Sequence, residues 1–142
     1  MKNKLILLLY LLICGSVFAQ IPQNNLGKSV QQLRSKFPSL KYIEAKGNLT
    51  EYEADGITFT FNGGKCVAEC MGVDRGRQYG YDWFIAMNKS FLKTSYLQVT
   101  ELSNDGMVAS RIFYYPNFWI TLTYWLDDGY TTITYQNSDY FK

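Results

Sequence analysis

Hydrophobic and polar positions alternate most regularly between residues 56 and 73. Ile57, Phe59 and Phe61 alternate with Thr58, Thr60 and Asn62, and a period of two sets the three large apolar side chains on one face of a strand. Asn62-Gly63-Gly64 then supplies the positive backbone angles of a tight turn. With a two-residue loop at either Asn62-Gly63 or Gly63-Gly64, the returning strand brings Cys66, Ala68 and Cys70 onto the aromatic face, which is therefore expected to be core. The pattern returns as Ile120-Thr121-Leu122-Thr123-Tyr124, an Asp128-Gly129 turn, and Thr131-Thr132-Ile133-Thr134-Tyr135.

Between these hairpins the period changes. Ser29-Val30-Gln31-Gln32 fits a capping box that opens a helix from about Val30 to Lys36, with Val30, Leu33 and Phe37 on one side. Pro38 forbids its continuation. Leu40 to Ala45 and Leu49 to Ala54 are short strand candidates joined through Gly47. A second helix is expected from about Tyr79 to Lys93, where Tyr81, Phe84, Asn88, Phe91 and Leu92 share one broad stripe and Asp82, Lys89 and Lys93 lie opposite. Strands resume at Tyr96 to Leu102, turn at Asn104-Asp105-Gly106, and continue at Val108 to Tyr115, Phe118 to Leu126 and Tyr130 to Gln136. The expected fold is α+β. Two similar halves, about 26–73 and 77–136, each offer one helix followed by four strands, which together form a mainly antiparallel sheet with the helices on one face.

The first residues carry an address. Lys2 and Lys4 precede an apolar run from Leu5 to Ile13, and Val17-Phe18-Ala19 ends it with a cleavage pattern, so residues 1–19 read as a secretory signal. The nine-residue run is about half of the roughly 20 residues needed to span a bilayer, so no membrane span is expected after cleavage. The mature chain is expected in the periplasm or secreted. A lipoprotein anchored through Cys14 is disfavoured, because Ile13 stands where a small residue belongs. The chain holds 14 basic and 12 acidic residues, and losing Lys2 and Lys4 with the signal leaves a mature net charge of zero. No basic cluster larger than Arg75 and Arg77 appears, so nucleic acid is not an expected partner.

Candidate chemistry is sparse. The sequence has no histidine, which removes the commonest general base and the commonest transition-metal ligand. Cys66 and Cys70 lie in an apolar hairpin that would raise their pKa values, so they read as packing rather than as nucleophiles. Four residues of strand span about 13 Å, beyond the roughly 7 Å limit between the Cα atoms of a disulfide, and two free thiols are expected. Glu51 with Glu53 reads as the polar side of a strand, and Asp127-Asp128-Gly129 as turn chemistry. Gly63-Gly64-Lys65 lacks the following helix that a phosphate-binding loop needs. No catalytic residue, cofactor or metal is predicted.

If Ile120, Leu122, Tyr124, Ile133 and Tyr135 face the helices, period two sends Trp119, Thr121, Thr123 and Trp125 to the other face with Tyr130, Thr132 and Thr134. With 12 Tyr, 9 Phe and 3 Trp in the chain, some aromatics must lie outside the core. Trp119, Trp125, Tyr130, Thr121, Thr123 and Thr132 form the candidate binding site. Aromatic anchors in a polar surround suit a protein interface and equally suit stacking on sugar rings; packing under a loop, against the first half or at a homodimer contact is the plainer alternative.

Leu26-Gly27-Lys28-Ser29-Val30-Gln31-Gln32-Leu33, as a helix opening, and Ile57-Thr58-Phe59-Thr60-Phe61-Asn62-Gly63-Gly64-Lys65-Cys66-Val67, as strand-turn-strand, resemble the corresponding pieces of small exported bacterial proteins. These are proteins with the fold of β-lactamase inhibitory protein, their periplasmic PepSY-like relatives, and outer-membrane assembly lipoproteins of the SmpA/OmlA type. The resemblance implies tandem helix-plus-sheet units that bind a protein on a concave, aromatic-bearing sheet, and it assigns no individual contact residue. The expected function is a non-enzymatic binding protein of the cell envelope with an envelope protein as partner. A glycan- or peptide-binding module on the same face is the alternative, and an enzyme of unfamiliar mechanism the third.

Overall fold

Helix and strand signals fall where caps, turns and alternation put them. The computed structural model describes residues 25–74, 76–93, 97–102 and 107–141. The predicted export signal with Cys14, together with Arg75, Tyr96 and the Asn104-Asp105-Gly106 turn, lies outside the described residues. The elements follow in the order α1 (Val30–Lys36), β1 (Lys41–Lys46), β2 (Leu49–Ala54), β3 (Ile57–Asn62), β4 (Lys65–Val73), α2 (Arg77–Leu92), β5 (Leu97–Leu102), β6 (Val108–Tyr114), β7 (Trp119–Trp125) and β8 (Thr131–Gln136). A short 3-10 turn, Ser138–Phe141, follows the last strand.

All eight strands form one sheet in the order β1-β2-β3-β4-β8-β7-β6-β5. Every pairing is antiparallel. Two four-strand meanders thus meet where β4 pairs with β8, which gives the α+β class that the alternation implied.

α1 opens on the predicted capping box: Gln32 N donates to Ser29 Oγ at 3.2 Å, and Ser29 N donates to Gln32 Oε1 at 2.8 Å. Phe37 leaves helical geometry just before Pro38. Leu33 and Phe37 then pack with Leu40, Ala54, Phe59, Phe61 and Cys66 in one core. A second core gathers Phe84 of α2 with Phe113, Ile120, Leu122, Tyr124, Ile133 and Tyr135. Direct cross-strand partners share a face, so Phe59, Glu69, Tyr135, Ile120 and Phe113 make a single row that runs from the first core into the second.

The central hairpin departs from its expected register. Its two-residue turn is Gly63-Gly64, with φ of 56° and 77°, and Phe61 faces Cys66 as expected. The ladder then slips, so that Thr60 meets Ala68, Phe59 meets Glu69 and Thr58 meets Cys70. A bulge places one extra residue, here Val67, on one strand and reverses the parity of all that follows. Ala68 and Cys70 therefore lie on the threonine face, not the aromatic one. Glu69 takes the core position instead. Both thiols are free, Cys66 buried and Cys70 half-buried, and they sit on opposite sides of the sheet.

The buried stripe of α2 is also narrower than its sequence suggests. Gly80, Phe84 and Asn88 are buried, whereas Tyr81 and Leu92 are exposed. Gly80 sets this orientation, because a Cβ there would collide with the Gly129 carbonyl. The helix rests on the β7–β8 turn at that point, and residues 84 and 88 follow beneath it at helical spacing.

Candidate functional site

The β7–β8 hairpin builds the candidate face. Register pairs Thr121 with Thr134, Thr123 with Thr132, and Trp119 with Gln136, all opposite to the buried Ile120, Leu122 and Tyr124. Across β6, Tyr114 partners Trp119 and Ser110 partners Thr123. The Tyr114 and Trp119 rings lie 6.4 Å apart, and the hydroxyls of Ser110 and Thr123 hydrogen-bond at 3.2 Å. On the other flank, Cys70 and Gly72 of β4 partner Thr134 and Thr132. The result is a ladder of neutral hydroxyls between aromatic ends. Trp119 and Trp125 stand six residues apart on one strand, a span of about 20 Å.

Tyr130 reaches this face from the β7–β8 turn. Its phenol lies against Gly72, whose missing Cβ gives the ring its place. Burial is the main influence pushing the Tyr130 phenol pKa above its ordinary value, with Cys70, Asp74 and Asp128 adding to it. The backbone beneath is fixed on both sides. Trp125 N donates to the Tyr130 carbonyl at 2.9 Å, and Tyr130 N donates to Asp128 Oδ1 at 2.8 Å. Arg77 Nε at the start of α2 donates to the Asp127 carbonyl at 2.7 Å, and Thr131 Oγ1 donates to the Gly80 carbonyl at 2.9 Å.

Of the six sequence-predicted site residues, Trp125 is 43% and Tyr130 36% exposed, and Trp119, Thr121, Thr123 and Thr132 are half-buried. All six lie on the one face. At its β3–β4 side the face closes: Thr60, Ala68 and Gln136 are buried there, beside the C-terminal 3-10 turn, which Asn62 Nδ2 ties down by donating to the Asp139 carbonyl at 3.0 Å. A shallow cleft of about 340 Å³ opens at the β6–β7 turn, lined by residues 114–119.

Three members of this surface were not legible as such in the sequence. Tyr114 needed the β6–β7 register to become the neighbour of Trp119. Cys70 needed the bulge, and Gly72 needed the position of the Tyr130 ring. A lone glycine inside a strand was the only local sign of the last.

The acidic pairs behave as turn and strand chemistry. Glu53 lies 3.8 Å from Lys41 and Glu44 pairs with Lys46 at 2.6 Å, and Asp127 Oδ1 accepts from Asp128 N at 3.0 Å. Among the described residues, no three Cys, Asp or Glu side chains gather as metal ligands would, and no helix is long and apolar enough to cross a membrane.

A second unusual place lies in the row between the two cores. Glu69 is 0% exposed. Its Oε2 accepts from Asn25 Nδ2 at 3.1 Å, while Oε1 is buried without a hydrogen-bond partner. Lys36 Nζ in turn donates to Asn25 Oδ1 at 2.9 Å. Burial drives the Glu69 pKa up to about 7, against the opposing pull of Asn25, Lys36 and Lys28. Burial, and Glu69 after it, push the Cys66 thiol up to about 12, so this cysteine stays a thiol at neutral pH. Tyr135, the cross-strand partner of Glu69, is likewise pushed up to about 12 by burial first and by Glu69 and Tyr115 next. The sequence signal for this site was one carboxylate inside an apolar strand.

Comparison of the chain with protein-family models, with curated proteins and with solved structures found no match.

Proposed function

We propose that the chain is a non-enzymatic, exported binding protein of the cell envelope that engages a protein partner through the face carrying Trp119, Trp125 and Tyr130. The observation that carries this reading is the exposure of Trp125 and Tyr130 at one end of a hydroxyl ladder whose other end holds the Tyr114–Trp119 pair. Aromatic rings anchored by a rigid sheet lose little freedom on binding, and a surround of neutral hydroxyls is cheap to desolvate when a partner supplies hydrogen bonds. In this reading the chain is a tandem of helix-plus-four-strand units with both helices on the sheet face opposite the site. The repeated element order and the row joining the two cores support that arrangement, which is the one the resemblance to β-lactamase inhibitory protein implies. Cleavage after Ala19 delivers the protein to the periplasm or the medium, with lipidation at Cys14 as the secondary route.

The neutral hydroxyls of Thr121, Thr123, Thr132 and Ser110 favour a glycan as the second reading, since aromatic platforms beside hydroxyls match the two faces of a sugar ring. A photo-crosslinking side chain at Thr123, set against the same group at the exposed Lys89 of α2, separates these cases in an envelope extract. A protein adduct formed from position 123 and absent from position 89 is the expected outcome. Equal labelling from both positions would remove the reason for assigning the partner to this face.

A further inference from the structure

The chain entering α1 is held to the centre of the sheet by few bonds. Gly27 N donates to the Cys66 carbonyl at 2.6 Å, and Cys66 N donates to the Lys28 carbonyl at 2.8 Å. A single bridge joins Ser29 to Lys65. Beneath these bonds Asn25, itself buried, reaches the Glu69 carboxyl. We propose that Glu69, held on one oxygen by Asn25 and left without a partner on the other, is a pH-sensitive clasp that fixes residues 25–29 over β4 when protonated and releases them when ionised.

A charge buried at Glu69 must find water or a partner. A neutral carboxyl tolerates an unpaired, enclosed oxygen far better than a carboxylate does. Ionised Glu69 must therefore gain solvent at Oε1 or carry a desolvation penalty. The elements around it resist movement unequally. β3 and β8 flank Glu69 through ladders that pair it and both its neighbours on β4, whereas residues 25–29 are attached by the few bonds named above, by the Lys36–Asn25 bond and by the packing of Leu26 on the first core. The segment with the fewest bonds opens first.

The charged and titratable groups facing Glu69 come from each neighbouring element. Lys28 lies on the segment itself, Lys36 on α1, Cys66 on β4, and Tyr135 on β8 with Tyr115 behind it. Lys28 and Lys36 favour the carboxylate, and burial opposes it more strongly. Cys66 and Tyr135 stay neutral through the range in which Glu69 ionises. Lys36, bonded to Asn25 rather than to Glu69, ties the segment to α1 and makes the release a local one.

Amide hydrogen exchange of Gly27 and Cys66 in the mature chain, followed by NMR from about pH 5 to pH 8.5 and corrected for intrinsic exchange rates, tests the clasp. With the closed carboxyl at about 7 and the opened one at its ordinary 4.5, protection falls about 70-fold over that range. In Glu69→Gln it changes less than about twofold. Unchanged protection in the wild type, or an equal loss in Glu69→Gln, overturns the proposal. The carboxyl carbon of Glu69 in the wild type gives an independent readout should Glu69→Gln fail to fold. Its titration midpoint must fall where the loss of protection levels off, at about 7, and a carboxyl that titrates at its ordinary 4.5, or protection that goes on falling beyond the carboxyl's titration, overturns the clasp.

Discussion

Replacing Glu69 with Gln isolates the energetic cost of a carboxyl in the centre of the sheet. The fully buried group has its pKa raised by burial from 4.5 to about 7. The folded state therefore binds more protons than the unfolded state between those values. The stability this group contributes is fully present below about pH 4.5 and is lost as pH rises through about 7. At about 1.4 kcal/mol per pH unit, the loss amounts to about 3 kcal/mol. That is a large share of the roughly 5–15 kcal/mol holding an ordinary domain together. Gln keeps the acceptor for Asn25 Nδ2 and cannot ionise. It leaves an amide N–H where Oε1 has no partner, a penalty of about 1–3 kcal/mol that is the same at every pH. The informative quantity is thus the difference between variant and wild type measured by urea unfolding at about pH 4.5 and pH 8.5. It should move in favour of Glu69→Gln by about 3 kcal/mol as pH rises. No histidine titrates in that window, so little else can mimic the effect. A difference that stays constant, or a wild type that gains stability through the window, would refute the assignment of a protonated, buried Glu69.

Further predictions address the two faces separately. Gly80→Ala drives a methyl group into the Gly129 carbonyl and should cost about 1–3 kcal/mol in chemical denaturation, although alanine is intrinsically the better helix former by about 1 kcal/mol; a stabilised variant would show that α2 does not rest on the turn. Leu122→Ala, in the second core with no exposed surface, should cost about 2–5 kcal/mol, and Trp125→Ala within about 1 kcal/mol. Comparable losses from both would move Trp125 into the core. Intact mass spectrometry of alkylated, unfolded mature protein under non-reducing conditions should show both Cys66 and Cys70 modified, and a protected pair would contradict their separation by the sheet.

Much of the fold was legible because local chemistry agreed with the whole. The capping box at Ser29 and Gln32, the stop at Pro38, the Gly63-Gly64 turn and the two threonine-rich hairpins each encode their element within a few residues. What was hidden depended on contacts distant in sequence. The bulge at Val67 leaves no signature in an alternating strand, yet it moves Cys70 to the outer face and Glu69 into the core. The stripe of α2 is set by the approach of Gly80 to Gly129, so Tyr81 and Leu92 fall outside it despite helical spacing. The candidate face followed from period two alone, since β7 and β8 contain no bulge. Its limits did not, because the partnership of Tyr114 with Trp119 and the tying of the C-terminal turn to Asn62 arise only when the strands assemble.

Whether the aromatic face binds a protein is decided by affinity capture from an envelope extract with the mature chain, beside a folded Trp119→Ala/Trp125→Ala variant, read by quantitative mass spectrometry. One envelope protein should be enriched by the wild-type bait and lost with the variant. Equal enrichment by both baits, or none with either while both are folded, would contradict a protein-binding role for the aromatic face.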